Sequence, residues 1–157
     1  MKKENMNNKG FSLVELIIVI AIMAILIVVL APQYLKYVER SRNSTDMQNA
    51  RSLMTAAETW AADPQADSSF GEAGNTFKYK IETKGTTSTI TEATGTGVVG
   101  TPAADALEEA GLDITKIQCS SKNTWSNYEI TGKILPNGAI KWSFTPAAMG
   151  NVMNGGT

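Results

Sequence analysis

Residues 11–32 read FSLVELIIVIAIMAILIVVLAP, and this stretch decides how the chain is organised. Every residue from Leu16 to Ala31 is apolar, and Glu15 is the single charged residue between Phe11 and Pro32. About 20 helical residues, each adding about 1.5 Å, cross the roughly 30 Å of hydrocarbon in a bilayer. Residues 11–32 are therefore predicted to form a membrane-spanning helix.

A short polar segment precedes this helix. Residues 1–10 read MKKENMNNKG and carry three Lys and one Glu. A basic flank of this kind stays cytoplasmic, which predicts that the C-terminal bulk of the chain is exported. A cleaved secretory signal would have a shorter apolar core and a small-residue cleavage site, and neither is found here. A lipoprotein signal would need a Cys at the end of the apolar run, and a plain signal anchor leaves Glu15 unexplained.

The composition excludes several classes of protein. The chain has 157 residues, a formal net charge of −1, no His and a single Cys, Cys119. Without His there is no Ser-His-Asp triad and no His-ligated metal site. A single Cys allows no internal disulfide and no Cys-rich zinc site, and Cys119 is interpreted as a small, buried filler. The chain is therefore predicted not to be an enzyme, and to hold no metal and no cofactor.

The residues around the start of the apolar helix carry a family resemblance. The run Lys9-Gly10-Phe11-Ser12-Leu13-Val14-Glu15-Leu16 resembles the prepilin motif of type IV pilins and pseudopilins, in the class with short leaders. The motif and its helix cover roughly a third of the chain. The resemblance implies that a prepilin peptidase removes leader 1–10 by cutting between Gly10 and Phe11. It also implies N-methylation of Phe11.

Glu15 has two interpretations. A carboxylate near the end of a membrane helix is unfavourable by a few kcal/mol unless it is paired or reaches the interface. The resemblance implies that Glu15 pairs with the α-amine of Phe11 in a neighbouring subunit during assembly. The alternative is that Glu15 extends its side chain to the cytoplasmic headgroups.

Pro32 also has two interpretations. Proline inside a helix removes one hydrogen bond and crowds the carbonyl of Val28. Pro32 could end the membrane span. The resemblance instead implies a kink within one continuous long helix, and this interpretation is favoured.

The resemblance implies an α+β fold, the type IV pilin fold, in which a long N-terminal helix packs on an antiparallel sheet. Residues 33–63 are predicted to form the amphipathic half of the same helix, with an apolar stripe at three- and four-residue spacings. The polar segment 39–46 is expected to be solvated, or covered by other subunits. The stripe consists of Met47, Ala50, Leu53, Met54, Ala57 and Trp60.

Residues 64–157 are predicted to form the head. Residues 77–83 alternate like a strand, and residues 83–101 form an exposed hairpin around Ile90 or a mobile loop, whose hydroxyls could carry glycans. Residues 102–111 read as a short helix that Thr101 caps and Gly111 ends. A second hairpin turns at residues 135–138, and the tail from Pro146 onward is expected to be loose. Many pilins close a C-terminal loop with a disulfide. This chain has only Cys119 and cannot form one, so the hairpin core is expected to hold the C-terminal region by packing.

The resemblance implies a structural subunit of a type IV pilus, used for adhesion, motility or surface colonisation. The precursor would sit in the cytoplasmic membrane, and the mature protein would form a homo-oligomeric helical filament outside the cell. The implied partners are the prepilin peptidase, an assembly ATPase and a platform membrane protein. This chain has no Gly-rich phosphate loop of its own. The mature chain is acidic and lacks a basic run, so direct nucleic-acid binding is not expected.

The alternative function is a pseudopilin of a type II secretion or competence system. Such a protein would share the leader chemistry. Major secretion pseudopilins resemble one another in a carboxylate-rich calcium loop near the C-terminus. Residues 130–157 contain no Asp or Glu, which argues against a site for a hard cation there.

Overall fold

The computed structural model describes residues 10–63, 73–93 and 102–154. The chain divides into two compact units, Met1–Val38 and Glu39–Thr157. One helix, α1, runs from Leu13 to Ala62 and contributes to both units. The described part of the second unit also contains two further α-helices, one 3-10 helix and four strands.

The first unit consists of the apolar half of α1. From Leu13 to Tyr37 the large apolar side chains are all at least half exposed, and Phe11 is 94% exposed, whereas Val38 is partly buried. By length and composition α1 is able to cross a membrane. The helix continues through Pro32, so Pro32 does not end it. The kink that the resemblance implies at this residue stays a prediction.

The described part of the second unit contains one antiparallel sheet. Its strand order is β2-β1-β3-β4. The partners are in register at Tyr79↔Ile90 and Tyr79↔Ile130, and at Ile130↔Phe144. The strands are β1 (Thr76–Ile81), β2 (Thr89–Ala93), β3 (Tyr128–Ile134) and β4 (Ile140–Thr145).

Two hairpins are present among the described residues, β1–β2 and β3–β4, and the second is the one predicted at residues 135–138. In the second one, the amide of Gly138 donates to the carbonyl of Leu135 at 2.9 Å, and Gly138 has a φ of +79° that favours glycine. Between β1 and β2 the chain reverses within residues 82–88, so Ile90 lies in a strand paired with β1 and not in a hairpin formed within residues 83–101 or in a mobile loop. Residues 94–101, the rest of that prediction, lie outside the described residues.

The predicted short helix is α2, Pro102–Glu109, and Gly111 ends it with a φ of +69°. Leu107 is buried and docks α2 in the core. A single 3-10 turn, Ile114–Lys116, follows and is capped by the side chain of Asp113. Thr101, the predicted cap of α2, lies outside the described residues.

The core lies between the sheet and the second half of α1. Three positions of the predicted apolar stripe, Ala50, Leu53 and Ala57, are fully buried. They belong to one cluster with the buried face of the sheet, which consists of Phe77, Tyr79, Ile81, Tyr128, Ile130 and Ile134. The ring of Phe77 covers Gly132 so closely that a Cβ at this glycine would lie 2.4 Å from Phe77 Cζ.

The prediction of a loose tail was wrong. Residues Ala147–Met153 form a third helix, α3, which packs against β4. Met149 is fully buried in the core, and Gly150 lies beside Phe144, where an added Cβ would make an ordinary contact at 3.4 Å. Met149, together with the partly buried Met153, docks this helix, although the segment around them is small and rich in Gly.

Candidate functional site

The predicted processing site lies at the start of α1. Gly10 and Phe11 are exposed and precede the helix. A Cβ at Gly10 would meet no atom within 4 Å, so the chain itself leaves room for a larger residue there. Any requirement for glycine at this position must therefore come from an enzyme that approaches the backbone. Cleavage at Gly10 and methylation of Phe11 stay predictions.

Glu15 has a local role that the sequence reasoning missed. The amide of Ser12 donates to Glu15 Oε2 at 2.8 Å, and the hydroxyl of Ser12 accepts from the amide of Val14 at 3.4 Å. Ser12 and Glu15 thus form a capping box, which satisfies free amides in the first turn of α1. The pattern Ser-x-x-Glu was the available signal. Among the described residues, Glu15 Oε1 has no hydrogen-bond partner, so the carboxylate can accept a second donor.

A second site was not predicted at all and lies in the second unit. Glu39 and Asp46 lie two turns apart on α1, and both hold the loop Cys119–Trp125; we call this arrangement the carboxylate clamp. Glu39 is 8% exposed and Asp46 is fully buried. The expectation that segment 39–46 is solvated or covered by other subunits was therefore wrong for these two residues. Buried carboxylates require hydrogen-bond donors, and the loop supplies them.

Asp46 forms the inner half of the carboxylate clamp. Its Oδ1 accepts from the amide of Ser120 at 2.7 Å, and its Oδ2 from the amide of Ser121 at 2.9 Å. The indole Nε1 of Trp125 also donates to Oδ2 at 2.9 Å. The thiol of Cys119 donates to the same oxygen at 3.4 Å. Four donors on one carboxylate compensate for its complete burial.

Glu39 forms the outer half. Its Oε1 accepts from three consecutive loop amides and from two hydroxyls. The donors are Lys122 N at 2.9 Å, Asn123 N at 2.8 Å, Thr124 N at 3.1 Å, Ser121 Oγ at 2.6 Å and, more weakly, Thr124 Oγ1 at 3.5 Å. Arg42 lies 3.5 Å from the other oxygen, Oε2. Burial raises the pKa of Glu39, but these hydrogen bonds outweigh it and hold the pKa at about 2, below the ordinary 4.5.

The carboxylate clamp makes Cys119 unreactive. Burial, followed by the charge and the hydrogen bond of Asp46, raises the pKa of the Cys119 thiol to about 12. The thiolate is the nucleophilic form, so this thiol is a poor nucleophile at neutral pH. Burial and the charge of Asp46 also raise the pKa of Tyr128, whose hydroxyl donates to the backbone carbonyl of Asp46. The interpretation of Cys119 as a buried filler is confirmed, and the thiol in addition serves as a donor.

A groove of about 830 Å³ lies between α1 and α2. Two of its hydroxyls, those of Ser52 and Thr59, donate to carbonyls of their own helix. Within residues 10–63, 73–93 and 102–154, no group of three or more His, Cys, Asp or Glu is placed to hold a metal ion.

The comparisons with known proteins agree with the motif found at the N-terminus. Residues 5–31 match the family described as the prokaryotic N-terminal methylation motif. The type IV major pilin protein PilA of Myxococcus xanthus (strain DK1622) is 33% identical over 84 residues, which cover 49% of this chain and 38% of that protein. No solved structure is significantly similar to the chain.

Of two further relatives, one is covered over enough of its length to establish the family. The fimbrial protein of Pseudomonas aeruginosa is 43% identical over 51 residues, 32% of this chain and 33% of that protein. A type IV major fimbrial protein FimA of Dichelobacter nodosus is 33% identical over 144 residues, which cover 89% of this chain and 83% of the relative. That similarity extends through both compact units and not only through the apolar helix. The chain therefore belongs to the type IV pilin family.

Proposed function

We propose that the protein is a structural subunit of a type IV pilus. One observation carries the proposal: the apolar half of α1 buries none of its large side chains within the described chain. So much apolar surface needs an apolar environment, which lipid supplies before assembly and like helices supply in a filament. The similarity to major pilins and fimbrial proteins supports the same function.

The N-terminal residues support a maturation step. A prepilin peptidase cuts between Gly10 and Phe11 on the cytoplasmic side of the membrane, and Phe11 is then N-methylated. The exposure of both residues ahead of α1 supports access by such an enzyme. The precursor is a single-pass protein of the cytoplasmic membrane, and the mature protein is located in the extracellular pilus.

Glu15 guides assembly. Oε2 caps its own helix, and Oε1 accepts from the α-amine of Phe11 in a neighbouring subunit. An ion pair in apolar surroundings favours one relative position of the two helices, because any other position leaves a charge there without a partner, which is unfavourable. The pair therefore fixes the axial register between adjacent helices, and Pro32 supplies the kink that lets the helices pack.

Assembly needs partners in the membrane. Lipid tails are as apolar as the side chains of α1, so exchanging lipid for neighbouring helices gives little net hydrophobic gain. An assembly ATPase and a platform membrane protein supply the direction. Adhesion, motility and surface colonisation are uses of the finished fibre that the resemblance implies.

Mass spectrometry of the protein from cells tests the maturation step. We expect a mature chain that begins at methylated Phe11, and a precursor that accumulates when Gly10→Leu blocks the peptidase. Asn8→Ala, a change in the same leader, serves as the control and should be processed normally. A chain that begins at Met1 in wild-type cells, or normal processing of Gly10→Leu, would contradict the proposal.

Electron microscopy of surface fibres tests the pilus subunit directly. Deletion of the gene should remove the fibres, and the wild-type gene should restore them. Glu15→Ala should be processed yet form few fibres. Glu15→Gln keeps an oxygen for capping Ser12 but loses the charge, so it should form as few fibres as Glu15→Ala. Normal fibre number with Glu15→Gln would show that capping, not ion pairing, is the role of Glu15.

A further inference from the structure

The exposed face of the sheet carries two lysines that lie directly opposite each other. Lys133 on β3 is in register with Lys141 on β4, and both are exposed. The other two lysines of the sheet have carboxylate partners: Lys78 lies 3.0 Å from Glu129, and Lys80 lies 2.5 Å from Glu82. No described carboxylate forms an ion pair with Lys133 or Lys141, and we call these two residues the lysine pair.

Like charges that face each other across two strands destabilise a sheet. The repulsion within the lysine pair therefore destabilises the isolated head, and an anionic group placed over the lysine pair would remove this repulsion. Residues 141, 143 and 145 on the edge strand β4 are also exposed, so a second macromolecule can reach the lysine pair.

An acidic surface of matching size lies elsewhere on the same head. Asp105, Glu108 and Glu109 are exposed on α2, while Ala103, Ala106 and Leu107 bury the opposite side of that helix. None of the three carboxylates forms an ion pair with a described residue. The chain contains no Lys or Arg between residues 85 and 115, so the sequence neighbours of this acidic surface carry no positive charge. Arg51 of α1 lines the same groove as Glu109 but forms no ion pair with it, so the acidic surface keeps its negative charge.

The topology keeps the two surfaces apart within one head. Helix α2 contacts β2, which is one edge of the sheet. The lysine pair lies on β3 and β4, at the other edge. The acidic surface of a head therefore cannot cover its own lysine pair, and only a second molecule can bring the two charges together.

We propose that the acidic surface of α2 in one subunit docks on the lysine pair of a neighbouring subunit in the filament. The contact joins two different surfaces of the same protein, and such heterologous contacts propagate into open helical assemblies when they do not close a ring. This inference rests on the proposed function and adds a head-to-head contact to the helix contacts described above. Complementary charge gives the contact its orientation, and repetition along the fibre multiplies its effect.

Charge reversal on full-length protein in fibre-forming cells tests the proposal. Lys133→Glu with Lys141→Glu should lower fibre yield by about tenfold, because it replaces attraction by repulsion at each contact. Glu108→Lys with Glu109→Lys should lower it similarly. The four changes combined restore opposite charges with exchanged positions, so they should recover most of the wild-type yield. Lys84→Glu with Lys122→Glu reverses two exposed lysines elsewhere that form no ion pair with a described residue, so it should leave the yield unchanged.

Fluorescence of the three tryptophans, which all lie after residue 59, shows whether each purified variant has folded. If a reversed pair fails to fold, Lys133→Gln with Lys141→Gln replaces it and should lower the yield more weakly. Wild-type yield from folded variants of either surface, or no recovery in the fourfold variant, would overturn the docking contact. Absence of fibres from the wild-type protein would instead overturn the proposed function.

Discussion

The two compact units differ in what they bury: the first leaves its apolar side chains and its carboxylate exposed, and the second buries both apolar side chains and carboxylates. In the first unit, apolar side chains are exposed and the carboxylate of Glu15 is also exposed. In the second unit, apolar side chains form a core, and two carboxylates of the same helix, Glu39 and Asp46, are buried inside it. One continuous α-helix therefore supplies two different kinds of surface.

The difference teaches where the stability of the protein comes from. The second unit buries its own core and supplies hydrogen-bond donors to both of its buried carboxylates, so it is expected to fold through contacts that it contains. The first unit has backbone hydrogen bonds but no core, and it depends on its surroundings. Three tryptophans, at positions 60, 125 and 142, all lie in the second unit, so their fluorescence reports unfolding of that unit alone.

The largest effect is expected from Asp46→Ala. The change leaves the amides of Ser120 and Ser121 and the indole of Trp125 without their acceptor in a buried site. We expect the free energy of unfolding of the second unit to fall by about 3–5 kcal/mol. Urea unfolding of the full chain in detergent micelles, followed by tryptophan fluorescence, measures this loss. The exposed control Glu108→Ala should change the value by no more than about 0.5 kcal/mol, and an equal loss in both variants would refute the role of the carboxylate clamp.

A somewhat smaller effect is expected from acid. The folded pKa of Glu39 is about 2 and its ordinary value is 4.5, so the unfolded chain binds the proton more readily. The contribution of Glu39 to stability is therefore complete above about pH 4.5 and is lost as the pH falls towards 2, by about 3 kcal/mol in total. Unfolding measured between pH 6 and pH 2.5 should show this loss. Glu39→Gln should lose less stability over the same range, and identical curves would contradict the assignment.

Met149→Ala should have a moderate effect. It removes the buried side chain that docks α3, and a loss of about 2 kcal/mol is expected, at the lower end for such core changes because α3 is short. The same urea titration measures it, and Val152→Ala, at a 37% exposed position of the same helix, is the control. If Met149→Ala left stability unchanged, the tail would be loose, as its small and Gly-rich composition predicts.

The smallest effect is expected in the first unit. Val19→Ala changes a side chain that is 51% exposed and has no core to leave. The free energy of unfolding of the second unit should stay within about 0.5 kcal/mol of the wild-type value. A larger change would show that the two units are energetically coupled, and the contrast between them would have to be abandoned.

The elements whose signals are local could be predicted from the sequence. The apolar run 16–31, the alternation in β1 and the Asn137-Gly138 turn each determine structure through neighbours a few residues away. The apolar stripe at Ala50, Leu53 and Ala57 was predicted correctly for the same reason. The prepilin motif is also contiguous, so the order of its residues alone is enough to indicate the family.

The carboxylate clamp could not be predicted in this way. Glu39 and Asp46 contact residues 73 to 85 positions later in the chain, and most of their donors are backbone amides. Every residue except proline has such an amide, so the residue types in the loop do not indicate that it binds the two carboxylates. A polar helical segment normally indicates exposure, and here tertiary contacts reverse that rule. Helix α3 was missed because its three larger apolar residues, Met149, Val152 and Met153, span little more than one helical turn among small residues and glycines, too short for a periodic pattern.

The use of main-chain donors leaves the loop free to vary. Lys122 and Asn123 meet Glu39 through their amides, and their side chains are exposed. Exchange of either side chain for another, proline excepted, leaves both hydrogen bonds in place. The chemistry that residues 122 and 123 display can therefore change without refitting the scaffold beneath the loop.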